Sequence, residues 1–244
     1  MLTKNEVKFL RSLQQKKYRK EHQLFLVEGT KSVKEVIESD FVVKKVFAGQ
    51  KWMEAHANEL PIEITRLTPT ECEQISSLQT PPEIFALVEM KDNQLPVLPD
   101  KFLMLDDIKD AGNLGTLIRT ADWFGIECLV CSTQTVELYN PKTIQASMGS
   151  FAHVKVYYTD LIDFISHLPE AYIMYGAFLE GKEVGKVKFS AQSIILIGNE
   201  SKGISDELLP YVGEKIFIAG HASHPMDSLN VGAATAILCY EFMK

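Results

Sequence analysis

From residue 102 onward the chain repeats one unit: a short, mostly apolar run, a polar loop, then a helical stripe. The runs fall at 102–105, 128–131, 154–157, 172–177, 194–197 and 215–218. Short apolar runs without polar alternation are strands covered on both faces. Strands separated by helix-length segments pair in parallel through crossovers, because a hairpin needs only a few connecting residues. The expectation is an α/β fold on a parallel sheet, with helices at 113–124, 140–148, 161–168, 205–209 and 228–243. Such a sheet takes its ligands outside the C-terminal ends of its strands.

Residues 1–90 form a second alternating α/β unit. Val7, Leu10 and Leu13 fall on one side of a short basic helix. Strands are expected at 24–27, 42–47, 61–65 and 84–90, with a helix from Gly29 carrying Val33, Val36 and Ile37. Thr68-Pro-Thr-Glu71 reads as a helix start: a capping threonine, proline at the first helical position, and glutamate at the reciprocal capping position. The stretch after residue 90 is polar at its start and holds two prolines, as linkers do. The division expected is a domain at 1–91, a linker at 92–100 and a domain at 101–244.

Composition narrows the function classes. Of the 244 residues, 46% are apolar, which allows a substantial core. No apolar run approaches the roughly 20 residues that span a bilayer, and no apolar signal core follows the first residues. A soluble cytoplasmic protein, with no membrane partner, is expected. Cys128 and Cys131 have the spacing of metal ligands but lie in a strand, where positions i and i+3 point to opposite faces. They read as buried, reduced, small apolar residues. Net charge is −7, yet residues 1–22 hold Lys4, Lys8, Arg11, Lys16, Lys17, Arg19 and Lys20 against Glu6 and Glu21. That local +5 leaves −12 for the remainder. A basic surface on an acidic body suits nucleic-acid phosphates, although a solvated helix face would give the same run.

Three loops at strand ends carry the chemistry. The first is Asp106-Asp-Ile-Lys-Asp-Ala-Gly-Asn113-Leu-Gly115, leading to Arg119. The second is Gly198-Asn-Glu200-Ser-Lys-Gly203, and the third runs from Ala219 to Asn230. In a parallel sheet all three can meet at one edge, bringing together an arginine, a carboxylate, two amides, a hydroxyl and several glycines. That mix suits a nucleotide-like ligand beside a polar reacting group. Taken alone, the Asn113–Arg119 stretch suggests an anion, a phosphate, held near a glycine-rich helix start, or simply an amphipathic helix with a surface arginine. Common nucleotide motifs fail. Gly176-Ala-Phe-Leu-Glu-Gly-Lys182-Glu183 ends in Glu where a P-loop needs Ser or Thr, and the first loop lacks the G-x-G-x-x-G spacing. His221 and His224 with Asp227 read as a polar loop rather than a metal site, so no metal is expected.

These three loops resemble motifs 1, 2 and 3 of the SpoU/TrmH branch of the SPOUT RNA methyltransferases. The matching stretches are Asn113-Leu-Gly-Thr-Leu-Ile-Arg119-Thr-Ala-Asp-Trp-Phe-Gly125, Ile197-Gly-Asn-Glu200-Ser-Lys-Gly203-Ile-Ser205 and Ser228-Leu-Asn230-Val-Gly-Ala-Ala. Residues 1–90, with Phe25-Leu-Val-Glu-Gly29, are similar to the small ribosomal-protein-like domain that binds substrate in that family. The resemblance implies a sheet threaded as a trefoil knot, a homodimer, and S-adenosylmethionine as the methyl donor to a ribose 2′-hydroxyl of structured RNA. It implies ribosomal RNA before transfer RNA, with a catalytically silent RNA-binding factor as the rival reading. By position, Arg119, Asn113, Glu200, Ser228 and Asn230 would be catalytic. Ala177, Phe178, Gly198, Ile218 and Leu229 would hold the cofactor, and Lys4, Lys8, Arg11, Lys16, Lys17, Arg19 and Lys20 would grip RNA. Ala111 and Ala219-Gly220 depart from the family pattern, and the loop to Ser228 is longer than usual.

Overall fold

The computed structural model describes residues 2–56, 60–221 and 228–244. His224 and Asp227 lie outside these residues. The basic N-terminal run folds as two helices, α1 (Lys4–Ser12) and α2 (Lys16–His22), where one was expected. Thr3 caps α1 reciprocally with Glu6, and Gln23 in a left-handed conformation (φ 53°) ends α2. Then follow β1 (Leu24–Glu28), α3 (Thr30–Glu38), β2 (Val43–Gly49), α4 (Gln50–Ala55), β3 (Ile64–Leu67), α5 (Pro69–Ile75) and β4 (Ile84–Glu89). The expected reciprocal cap at Thr68 is present: Glu71 N donates to Thr68 Oγ1, and Thr68 N donates to Glu71 at 2.6 Å. The strands form a mixed sheet in the order β1-β4-β2-β3.

The C-terminal region contains β5 (Lys101–Leu105), α6 (Ala111–Trp123), β6 (Cys128–Ser132), α7 (Pro141–Ser147), β7 (Lys155–Thr159), α8 (Leu161–Ser166), β8 (Ile173–Glu183), β9 (Ser193–Ile197), β10 (Glu214–Phe217) and α9 (Val231–Phe242). As expected, these strands make one parallel sheet, in the order β10-β8-β9-β5-β6-β7. The near-P-loop stretch is part of the long strand β8, so it offers no phosphate cradle. Cys131 packs in the core on one face of the sheet and Cys128 in the core on the other, as strand alternation requires. The short helix expected at 205–209 is a 3-10 turn, Asp206–Tyr211, with Pro210 inside it.

The two sheets share a core. Phe25 of β1 lies 4.7 Å from Tyr139 and 5.9 Å from Phe151, and Phe41 lies 5.7 Å from Phe151. Each aromatic pair is worth about 0.5–1.5 kcal/mol beyond its buried area. The segment between the sheets has no helix or strand, but it does not hang free. The Asn93 side chain donates to Tyr158 O (2.7 Å) and accepts from Tyr158 N (2.9 Å). It thereby satisfies part of the open edge of β7, an edge that would otherwise invite pairing with another chain.

Candidate active site

Strand order decides which loops meet. The motif loops follow β5, β9 and β10; β9 and β5 are neighbours, β10 lies beyond β8, and in this parallel sheet all three loops leave from the same edge. Asp110 follows β5 and caps α6: its Oδ1 accepts from Asn113 N at 2.9 Å. Asn230 precedes α9 and caps it, accepting from Gly232 N (2.9 Å) and Ala233 N (3.4 Å). Glu200 follows β9 and reaches across to the start of α6, where it accepts from the backbone N–H groups of Lys109 and Asp110, both at 3.3 Å.

These three loops are tied by one chain of side-chain hydrogen bonds. Asn113 Nδ2 donates to Glu200 Oε1 (2.9 Å), and Asn230 Nδ2 donates to Asn113 Oδ1 (3.2 Å). The polarity of the chain follows from its end. An ionised carboxylate only accepts, so Asn113 must turn its amino group to Glu200 and its oxygen to Asn230. Asn230 Oδ1 faces the α9 backbone N–H groups, which only donate, and this fixes its amide the same way. Partial burial raises the Glu200 carboxyl, but the bonds from Asn113, its own backbone, Lys109 and Asp110 outweigh burial and hold it below its usual value.

Two carboxylates stand at the entry to α6: Asp110 caps the helix by accepting from Asn113 N, and Glu200 accepts from Lys109 N and Asp110 N just before its first turn. Gly115 serves packing: a Cβ there would sit 2.6 Å from Ala146 Cβ and 2.6 Å from Thr143 O, so its absence lets α6 and α7 touch. Arg119, two turns along α6, is exposed, and no hydrogen bond or ion pair holds it among the described residues. Ser228 is exposed two residues before Asn230.

The expected cofactor residues gather on adjacent strands. Ala177 and Phe178 lie in β8, Gly198 follows β9 and Ile218 follows β10; all four are half-buried, and Leu229 is exposed. Gly198 admits no side chain, because a Cβ would lie 2.2 Å from Gly203 C and 2.3 Å from Ile204 N. The Asn199 side chain pins the same turn, accepting from Ser201 N and Lys202 N and donating to Asp107 O at 2.8 Å. A tight backbone turn flanked by half-buried apolar residues fits a ligand with an apolar ring face and polar edges.

The basic surface loses one member. Arg19 is only 2% exposed: its Nη1 donates to Leu13 O and Gln14 O, and its Nη2 pairs with Glu137. It is committed inside the protein and cannot grip RNA. Lys4, Lys8 and Arg11 are exposed and spaced along one face of α1, while Lys16, Lys17 and Lys20 are exposed on α2. A cleft of about 1180 Å³ lies beside α2, lined by Lys16, Lys20, Phe41, Lys91 and Lys155 among others. It opens on the edge strand β7 rather than on the ends of β8 and β9. None of Asn113, Glu200 and Asn230 lines it, so it is not where the motifs converge.

Comparison with known proteins now places this geometry. The family model for the SpoU rRNA Methylase family matches residues 100–240, more than half of the chain. The chain belongs to the SpoU rRNA methylase family. A model for the MRM3-like substrate binding domain matches residues 4–86 of this SpoU family member. The 23S rRNA (guanosine(2553)-2′-O)-methyltransferase RlmP of Bacillus subtilis is 30% identical over 96% of this chain and 94% of its own length. A candidate RNA methyltransferase of the TrmH family from Porphyromonas gingivalis has a solved structure with TM-score 0.88 and 33% identity, covering 99% of this chain and 98% of that one. An AdoMet-bound rRNA methyltransferase from Sinorhizobium meliloti follows at TM-score 0.83 and 26% identity, covering 99% and 95%. The parallel sheet and the additional N-terminal unit are thus those of SpoU enzymes.

Asp110 and Lys142 border the Asn113 loop and were not singled out by the sequence reading. Asp110 stood in view as a helix cap three residues before Asn113, the pattern that marks a helix start. Lys142 Nζ lies 2.6 Å from Asp110 Oδ2, a contact between segments 32 residues apart that no spacing rule reports.

Proposed function

We propose that this protein transfers the methyl group of S-adenosylmethionine to a ribose 2′-hydroxyl of large-subunit ribosomal RNA. The observation that carries the reading is the Glu200–Asn113–Asn230 chain, which joins all three motif loops through polar side chains while leaving Arg119 uncommitted. The names of the relatives, among them a 23S rRNA 2′-O-methyltransferase and an AdoMet-bound rRNA methyltransferase, point the same way. In this reading Gly198, Ile218, Leu229, Ala177 and Phe178 hold the cofactor, which when bound supplies an electrophilic sulfonium methyl group.

The chain's own residues orient and stabilise. Asn113 has one N–H and one oxygen lone pair left after its two bonds, enough to fix the ribose hydroxyl. Alignment of nucleophile and methyl carbon is worth several kcal/mol in such a displacement. A guanidinium has donors and no acceptor, so Arg119 takes no proton. It binds the adjacent phosphate and steadies the developing alkoxide, and the proton leaves through phosphate or water. Ser228 completes the polar rim.

The N-terminal unit, residues 1–91, presents RNA phosphates with Lys4, Lys8, Arg11, Lys16, Lys17 and Lys20. Such contacts position the substrate without reading its sequence. The active form is a cytoplasmic homodimer with a trefoil knot in its C-terminal domain. Trp123, 84% exposed at the end of α6, and Ile237, Tyr240 and Met243 on or just after α9 give an apolar surface that favours a second copy. The strand order β10-β8-β9-β5, with α9 returning against α6, supports the knotted threading.

Ribose-methylation mapping of total rRNA and tRNA, with and without the protein, tests the reading. Loss of one large-subunit rRNA methyl group is expected. Loss in tRNA alone would move the substrate, and no change in either would sink the enzyme reading in favour of a silent binder.

A further inference from the structure

We propose that Lys142 is a substrate-phosphate contact on the rim of the catalytic pocket, linking the cations of α1 and α2 to Arg119. The inference rests on the RNA methyltransferase reading above. Any RNA strand that reaches Asn113 must approach two carboxylates, Asp110 and Glu200, which occupy the start of α6. Uncompensated, they would repel a phosphate. Lys142 is placed to offset one of them: its Nζ lies 2.6 Å from Asp110 Oδ2. Its stem crosses the first turn of α6 at Gly112, where an added Cβ would come 3.0 Å from Lys142 Cε.

The ammonium is not used up by Asp110. It has three donors and one partner, Asp110, among the described residues, and the side chain is 63% exposed. Lys109, the nearer cation in sequence, is occupied: its Nζ donates to Gln134 O at 3.1 Å and pairs with Asp107. Lys142 thus keeps donors turned to solvent on this rim, whereas two of the Lys109 donors are engaged.

A covalent and hydrogen-bonded path connects it to the basic N-terminal helices. Loop 133–140 leads directly into α7. It is fixed to the catalytic loop by Val136 N donating to Ile108 O at 2.8 Å. It is fixed to α2 by Glu137, which pairs with Arg19 and, at 3.6 Å, with Lys16. Thr143, next to Lys142, donates back to Glu137 O at 3.4 Å. The loop thus ties α7, and Lys142 in its first turn, to both α2 and the Asn113 loop.

Binding of an unmodified 23S rRNA transcript, measured from about 50 to about 200 mM salt, tests this. Lys142→Met is expected to weaken binding and to make the plot of log K against log salt shallower by about 0.7–0.9, the loss of one phosphate contact. Lys142→Arg restores the slope, and S-adenosylmethionine affinity and Tm stay at wild-type values in both. A wild-type slope in Lys142→Met overturns the proposal, as does a loss of cofactor affinity or Tm that accounts for the weaker binding. Wild-type protein that binds the transcript but transfers no methyl group would sink the enzyme reading and leave the Lys142 comparison standing. Failure of the wild-type protein to bind overturns both.

Discussion

Arg119 and Glu200 divide the charge of the candidate site between them, and their surroundings give them opposite duties. Arg119 has no partner among the described residues, so its whole donor fork is available to substrate. Lysine keeps the charge but loses the fork. Arg119→Ala and Arg119→Lys should therefore both slow single-turnover methyl transfer, by about 10²–10³-fold on the scale of other lost charge-stabilising donors. Cofactor affinity should not change, and a lysine variant near wild-type speed would remove the bidentate role. Glu200 is committed inward, and its carboxyl is held below the usual 4.5. A carboxyl depressed by folding stabilises the native state above its unfolded value and loses that contribution as pH falls through the lower folded value. Thermal unfolding between about pH 3 and about pH 7 should show wild-type protein losing Tm at the acid end, with Glu200→Gln flatter there. Parallel curves for the two proteins would refute the linkage. The same substitution replaces a pure acceptor by an amide that can turn either way, so the orientation of Asn113 is no longer dictated and kcat should fall more than KM.

Helices and strands were legible where local rules dominate. The reciprocal cap at Thr68, the parallel strands from 101 onward and the opposed faces of Cys128 and Cys131 all follow from spacing within a few residues. The break between α1 and α2 was hidden, because Leu13 continues the apolar stripe and is buried while the chain turns around it. Helix α4 has no side-chain bond at its N-cap and only a short pattern, Gln50 to Ala55; burial of Trp52 and its indole bond to Thr30 hold it in place. In the site, the motif residues were visible, but the bond that joins them was not, since Glu200 is 87 residues from Asn113. Gly115 shows how such distance matters. By helix propensity alone, Gly115→Ala should stabilise α6 by about 1 kcal/mol. The added Cβ would instead meet Ala146 and Thr143 of α7 at 2.6 Å, and overpacking costs about 1–3 kcal/mol or more when backbone must move. The expected outcome is a net loss of stability by urea unfolding, larger for Gly115→Val. A stabilised alanine variant would mean that α7 yields easily.

At the scale of the molecule, the question is whether the N-terminal unit is a tether or part of one body. Phe25 and Phe41 share a core with Tyr139 and Phe151, Asn93 holds the connecting segment on β7, and the Arg19–Glu137 pair locks α2 to the loop before α7. His153 adds a second strut, with one ring nitrogen 3.2 Å from Glu35 of α3 and the other 3.2 Å from Asp122 of α6. A fixed body can measure distance along an RNA, from the cations of α1 and α2 to Arg119, in a way that a flexible linker cannot. The Arg19 pair offers the sharpest test, because it is nearly buried and imperfect: Arg19 Nε has no partner among the described residues. Removing one member leaves the other charged and desolvated, which typically costs about 3–5 kcal/mol. Arg19→Met should fall at the low end of that range, since Glu137 keeps some solvent contact and Lys16 nearby. Arg19→Met with Glu137→Leu should recover most of the loss, because no buried charge then remains and the orphaned Nε is gone. Urea unfolding of the wild type, both single variants and the double variant forms a double-mutant cycle. One body predicts a single transition in all four and a large favourable coupling. Two separate transitions, or losses that simply add, would mean that the two units are independent and that the N-terminal unit is only a tether.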